Sequence, residues 1–123
     1  MITEDYVRFE TAKLLKEKGF DIYGYASIKV FGGNTYEVNG EWITPKEDII
    51  IPTLQMAMKW LREVHKIYVN VCPSVEGYYW TEKWHSYVEN LEKRYPFGMF
   101  IGTFNSYEEA CEAAIKYCLE NLI

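Results

Sequence analysis

Hydrophobic residues recur at helical spacing in three segments of the chain. The first segment has an apolar face that includes Val7 and Leu15, and Gly19 follows it as a residue that can adopt the left-handed conformation at a helix end. The last segment opens with Ser106 and Glu109 in the spacing of a capping box, which satisfies free N–H groups of the first turn. The pattern therefore predicts three helices, over residues 3–18, from Pro52 or Thr53 to about Lys66, and over residues 107–122.

Other segments alternate between apolar and polar residues, which is typical of strands. Residues 67–72 alternate in this way, and Pro73 is expected to end the strand because it cannot donate a ladder hydrogen bond. The aromatic segment 77–88 alternates as well, and a further strand is predicted at Met99–Phe104. We expect these three strands to form an antiparallel meander.

Residues 22–51 combine strand-forming residues with turn signals. Asn39-Gly40 separates two short β-like segments, and Asn-Gly is a preferred pair for a type I′ hairpin turn because both positions need positive φ. The whole pattern predicts an α+β fold, in which an antiparallel meander and a β-hairpin region pack on three helices as a two-layer sandwich. The length fits a single domain of residues 1–123.

The composition is that of an ordinary globular domain, with 49% hydrophobic and 25% charged residues. The formal net charge of −5 opposes binding to a phosphate backbone, so nucleic acid is a disfavoured partner. Residues 1–5 carry acids rather than the bases of a secretory signal, and no apolar run is long enough to cross a membrane. We expect a cytoplasmic protein that does not enter the membrane.

Residues of the types that carry chemistry are few, with two His and three Cys. Cys111 and Cys118 lie on the apolar face of the last predicted helix, where cysteine acts as a small hydrophobic residue. His65, at the end of the second helix, is explained by attraction to the negative helix terminus. No His or Cys cluster has zinc-ligand spacing. We predict no metal site, no cofactor and no catalytic residue.

Aromatic residues are abundant, with 11 Tyr, 4 Trp and 6 Phe. Their rings are stiff and amphipathic, and one small core cannot bury all of them. A contiguous exposed aromatic patch marks an interaction site. We expect partly exposed rings mainly in the β-rich regions, at Tyr23, Tyr25, Tyr36, Trp42, Tyr68, Tyr79 and Tyr87.

The alternation in segment 77–88 gives this strand two faces. One face is predicted to hold Tyr78, Trp80, Trp84 and Val88. The other is predicted to present a contact strip made of Tyr79, Lys83, His85 and Tyr87. Tyr36 and Trp42 of the hairpin are predicted to lie beside or opposite this strip. The predicted function is non-enzymatic binding of a protein partner or of a second copy, because the edges of a small sheet can pair symmetrically.

Two other functions remain open. A pocket for a small, nucleotide-like ligand would combine rings with a cation such as Lys83, Arg94 or Lys29. A small hydrolase-type enzyme would need His85 or His65 to meet a carboxylate or a thiol from elsewhere in the fold.

Residues 1–7, 9–21, 52–65 and 106–123, which include most of the three predicted helices, carry a resemblance to a known family. In these segments the chain resembles small uncharacterised proteins encoded by Bacteroides-type gut bacteria and their phages. The resemblance implies a phage or mobile-element accessory protein with a shared helical frame. It also implies that residues 22–51, a variable β-rich insert, and residues 73–104 are specific to this member. No activity and no functional residue follow from it.

Overall fold

The computed structural model describes residues 5–20, 28–31, 35–38, 41–43, 51–92 and 98–123. The helices in these ranges are α1 (Phe9–Glu17), α2 (Leu54–Val64) and α3 (Tyr107–Asn121). The strands are β1 (Ile28–Phe31), β2 (Thr35–Val38), β3 (Glu41–Ile43), β4 (Ile67–Glu76), β5 (Tyr79–Asn90) and β6 (Met99–Phe104). The fold is α+β, as the sequence pattern predicts.

The strands form two antiparallel sheets, in the orders β1-β2-β3 and β4-β5-β6. In the first sheet β2 pairs antiparallel with β3, and Val38 lies opposite Glu41. The predicted turn residues Asn39 and Gly40 lie outside the described residues. The second sheet is the predicted meander, and β6 has the predicted bounds. In that sheet β5 is central, and β4 and β6 lie on either side of it.

The core lies between the second sheet and the helices. Contacts from α2 and α3 cover one face of this sheet, and α1 packs on α3. Ile115 and Leu119 are fully buried and belong to the same cluster as Val88 of β5, and each such side chain contributes about 1.5–3 kcal/mol by leaving water. Within the interface the buried Ser86 hydroxyl donates to the carbonyl of Ala110 at 2.9 Å, so it is satisfied. The packing is the predicted two-layer arrangement.

The first helix starts later than predicted. The predicted start at residue 3 is wrong, because α1 begins at Phe9 and residues 5–8 are not helical. The N–H of Val7 donates to the carbonyl of Pro52 at 3.0 Å, and the N–H of Leu54 donates to that of Asp5 at 2.9 Å. Pairing with the segment that leads into α2 therefore holds these residues out of the helix.

The other helix boundaries agree with their sequence signals to within one or two residues. Thr53 caps α2, since its hydroxyl accepts the N–H of Met56 at 3.1 Å. Ser106 caps α3 in the same way, by accepting the N–H of Glu109 at 3.1 Å. Gly19 follows α1 with φ of +90°, the left-handed conformation that glycine adopts without strain.

The strand β4 is longer than predicted. Pro73 does not end it, because the strand continues to Glu76 and a tight turn at Gly77 leads into β5. The pairing of β4 with β5 is irregular between Pro73 and Val75. A proline is tolerated at such a position in an edge strand because no regular ladder donor is lost.

Candidate interaction surface

The β4–β5 hairpin extends beyond the rest of its sheet. In the described residues, β6 pairs with β5 only from Trp84 to Val88. Residues 73–83 therefore form a ribbon of two strands with no third strand beside them, and we call these residues the aromatic arm. A two-stranded ribbon has too little core to be stable alone, so the arm depends on the sheet at its base.

The end of the aromatic arm presents rings to solvent. Tyr78 lies in the turn before β5, so its predicted place on a strand face is wrong, and its side chain is fully exposed. Tyr79 is 79% exposed and Trp80 is 54% exposed, and the apolar Val75 beside them is exposed as well. Large rings that face water in one short segment are unusual for a chain that needs them only for packing.

Local backbone features and hydrogen bonds shape the arm. Gly77 in the turn has φ of +61°, and Glu82 has φ of +64° at the irregular part of β5. Across the ribbon, the Thr81 hydroxyl donates to the carbonyl of Ser74 at 2.9 Å. The arm is thus a defined hairpin with a bulge, which is a common way to redirect side chains at a sheet edge.

A series of ring contacts joins the arm to α3. The Trp80 and Trp84 rings meet edge-on with centroids 6.0 Å apart, and Trp84 meets Tyr107 of α3 in the same way at 5.5 Å. The Tyr107 hydroxyl accepts a hydrogen bond from the Gln55 side chain of α2 at 3.2 Å. Each edge-to-face pair is worth about 0.5–1.5 kcal/mol beyond its buried area. The base of the arm is therefore anchored on the helical layer.

A second group of rings lies on the sheet face opposite α3. It consists of His85, Tyr87 and Phe100, and we call it the open-face cluster. The His85 centroid is 6.2 Å from that of Tyr87 and 5.6 Å from that of Phe100, and the last two are 5.4 Å apart. Nδ1 of His85 shares a hydrogen bond of 2.9 Å with the Thr103 hydroxyl. Phe100 is 53% exposed, so this cluster is a surface feature.

The predicted contact strip falls into two parts in the structure. His85 and Tyr87 lie together in the open-face cluster, whereas Tyr79 and Lys83 are exposed on the aromatic arm. The bulge at Glu82 interrupts the simple alternation that connected them in the prediction. Their role in binding stays a prediction.

The two predicted hairpin residues lie in the first sheet. Tyr36 pairs with Ile43 and Trp42 pairs with Glu37 across β2 and β3. Their participation in a contact surface also stays a prediction. Tyr23 and Tyr25 are outside the described residues.

Sequence reasoning missed three exposed rings, Tyr78, Trp80 and Phe100. The Gly77 turn signal could have placed Tyr78 at the hairpin end, and alternation in β6 could have placed Phe100 on the open face. Among the described rings whose burial is defined, Trp60 alone is buried, at 2% exposure, while Tyr68 is exposed as expected. Most rings therefore do lie wholly or partly at the surface.

The two histidines have different surroundings. His65 ends α2, and its ring packs edge-on against Trp60 with centroids 4.6 Å apart. Burial lowers the pKa of His65 and so disfavours the positively charged imidazole. The predicted attraction to the negative helix terminus requires that charged form. His85 lies opposite Cys72 in the β4–β5 register, so a cysteine is a cross-strand neighbour of His85, as one form of the enzyme hypothesis requires. The imidazole, however, forms its hydrogen bond with the Thr103 hydroxyl.

The other two thiols are inaccessible. Cys111 and Cys118 are buried, and burial raises their pKa to about 11 and about 12. In the described part of the chain, no group of three or more His, Cys, Asp or Glu residues could hold a metal ion. None of the helices there combines the length and the apolar character needed to cross a bilayer.

A cleft of about 240 Å³ lies between α1, β6 and α3. Its lining includes Arg8 and Thr11 at the start of α1, Phe104 of β6, and Glu112 and Lys116 of α3. Glu112 is 9% exposed, and its Oε1 accepts hydrogen bonds from the Thr11 hydroxyl and, at 3.1 Å, from the N–H of Arg8. The second carboxylate oxygen, Oε2, is buried without a hydrogen-bond partner among the described residues.

No protein-family model, curated protein or solved structure matches the chain.

Proposed function

We propose that the chain is a non-enzymatic binding protein that contacts another protein chain, either a partner or a second copy of itself, through the aromatic arm and the open-face cluster. The observation that carries the proposal is the exposure of Tyr78, Tyr79 and Trp80 together at the end of one hairpin. Tyr and Trp are the residues most enriched at the energetic centres of protein interfaces.

The geometry of the arm suits a contact better than a packing role. The exposed rings lie away from the helical core, and the arm is anchored through Trp84 and Tyr107 rather than through its end. Rings with few rotatable bonds lose little entropy when they are immobilised at an interface. An anchored hairpin with exposed rings can therefore bind another chain without first becoming ordered.

Self-association is one form of the proposal. Both β4 and β6 are outer strands of their sheet in the described residues, and outer strands can pair across a two-fold axis. A different partner is the other form. The resemblance to phage-associated proteins of Bacteroides-type bacteria favours an accessory role in a phage or mobile element, and we include this role in the proposal. We also propose that residues 22–51 add specificity for the partner.

The test compares the wild-type chain with the triple variant Tyr78→Ser, Tyr79→Ser, Trp80→Ser. Sedimentation velocity over a wide concentration range measures self-association. Affinity capture from cells that produce the protein, followed by mass spectrometry, measures partner binding. We expect either a concentration-dependent dimer or one stoichiometric partner, lost in the triple variant.

The matched control is Leu122→Ser, which removes an exposed apolar side chain of the α3 end far along the sequence from the arm. The control should bind as the wild type does. A triple variant that associates and captures partners as well as the wild type would refute the proposal.

A further inference from the structure

We propose that the cleft between α1, β6 and α3 binds a small zwitterion, of the class of free α-amino acids, with its ammonium group at Glu112 and its carboxylate at Arg8 and Lys116. The cleft shares no residue with the aromatic arm or the open-face cluster. The inference is therefore independent of the proposed protein contact.

The hydrogen bonding of Glu112 is incomplete. A buried carboxylate oxygen without a donor is costly, because it has lost its hydration and no protein hydrogen bond replaces it. Oε1 is satisfied by α1, but Oε2 has no partner and is shielded from water. A small rotation of the carboxylate toward the cleft that Glu112 lines would let an ammonium group of a ligand supply the missing donor.

The same cleft holds a pair of cations. Arg8 and Lys116 both line it, and both side chains are exposed. Lys116 makes an ion pair with Glu120 at 3.8 Å on the surface of α3, and such pairs contribute little. Lys116 can therefore turn to a ligand carboxylate at small cost, and Arg8 can bind it through two N–H groups.

Size and charge limit the ligand further. The volume of about 240 Å³ is below the range of about 300–1,000 Å³ that is usual for drug-sized ligands. Glu10 and Glu109 also line the cleft and would repel a dianionic phosphate. Phe104 supplies an apolar wall. A molecule of amino-acid size with one positive and one negative group satisfies these limits, whereas a nucleotide does not.

The experiment is isothermal titration calorimetry of the full chain with each of the twenty free amino acids at millimolar concentration. The best ligand is then compared with its two analogues, the decarboxylated amine and the deaminated acid. We expect at least one amino acid to bind. Each analogue should bind more weakly by about tenfold or by a larger factor, because each lacks one charge-assisted contact.

Variants locate the site. Arg8→Gln and Lys116→Met should each weaken binding of the best amino acid about tenfold, since each removes a contact to its carboxylate. Lys59→Met, which changes an exposed lysine of α2 outside the cleft, is the control and should bind as the wild type does. Glu112→Gln should also weaken binding, and circular dichroism would confirm that each variant is folded.

Three results would overturn the proposal: no heat of binding with any amino acid, equal binding of either analogue, or unchanged binding in both Arg8→Gln and Lys116→Met. None of these results bears on the aromatic arm.

Discussion

Glu112 of α3 accepts a hydrogen bond from the side chain of Thr11, which precedes it by 101 residues. The same carboxylate oxygen accepts the N–H of Arg8, the residue at the N-cap position of α1, whose own side chain makes no cap hydrogen bond. A residue of the last helix thus caps the first one, and its negative charge lies at the positive end of the α1 dipole. This contact fixes how α1 sits on α3.

Removal of the Thr11 hydroxyl should destabilise the fold. Thr11→Val keeps the volume of this buried side chain but leaves the Glu112 oxygen with one donor fewer. We expect the free energy of unfolding in urea to fall by about 1–3 kcal/mol, the cost of a buried polar group that loses a partner. Glu120→Gln, on the exposed face of the same helix, is the control and should change it by less than about 0.5 kcal/mol. Equal stability of Thr11→Val and wild type would show that the contact does not matter.

The rings of the arm should matter little for stability. Tyr79→Ser should change the free energy of unfolding by less than about 0.5 kcal/mol, because Tyr79 is 79% exposed. Trp60→Ala, which empties a buried site at the centre of α2, should lower it by about 3–5 kcal/mol. Urea unfolding of both variants gives the comparison. A large loss in Tyr79→Ser would mean that the arm packs on the fold and is not displayed for contact.

Local signals in the sequence predicted much of the fold. The hydroxyl of Ser106 and the glycine at position 19 mark helix ends through interactions with neighbouring residues, and the structure confirms both of them. The bounds of β6 were also correct, since they follow from alternation and nearby turns. Such features depend on a few consecutive residues and are visible in a linear pattern.

The features that sequence reasoning missed depend on residues far apart in the chain. The start of α1 is set by pairing of Val7 with Pro52, and its cap comes from Glu112. The aromatic arm exists because β6 stops pairing with β5 at Trp84, which no local pattern reveals. The candidate site was therefore predicted in part: His85 and Tyr87 were chosen from alternation, but the exposed hairpin end and the Glu112 cleft required the fold.

Cys72 should be the thiol that reacts in the native protein. Burial raises the pKa of Cys111 to about 11, so at pH 8 that thiol stays protonated and unreactive. Iodoacetamide should therefore modify the folded chain once, at Cys72, while all three cysteines react after unfolding in guanidinium. Intact-mass spectrometry measures both. Rapid double modification of the folded wild type, or modification of folded Cys72→Ser, would contradict the burial of the other two thiols.

His65 should make stability depend on pH. Burial lowers the pKa of the folded imidazole below the ordinary value of 6.5, so the unfolded chain takes up a proton at a higher pH than the folded chain does. The contribution of this group to stability is complete above the unfolded pKa and is lost as the pH falls from there toward the folded pKa.

An NMR titration of the imidazole gives the His65 pKa directly, and we expect a value below about 6.5. His65→Phe keeps a ring against Trp60 and should reduce the dependence of the unfolding free energy on pH below about 6.5. A measured pKa at or above the ordinary value would show that the positive helix-end interaction outweighs burial.

Photo-cross-linking in cells that produce the protein tests most directly whether the arm binds another chain. A benzophenone amino acid replaces Tyr79 at the exposed end of the arm in one variant and Lys59 on the outside of α2 in another. Our account predicts one discrete cross-linked species from position 79, with the mass of a dimer or of a single partner, and none from position 59. The absence of any discrete species from position 79, or the same species from both positions, would contradict it.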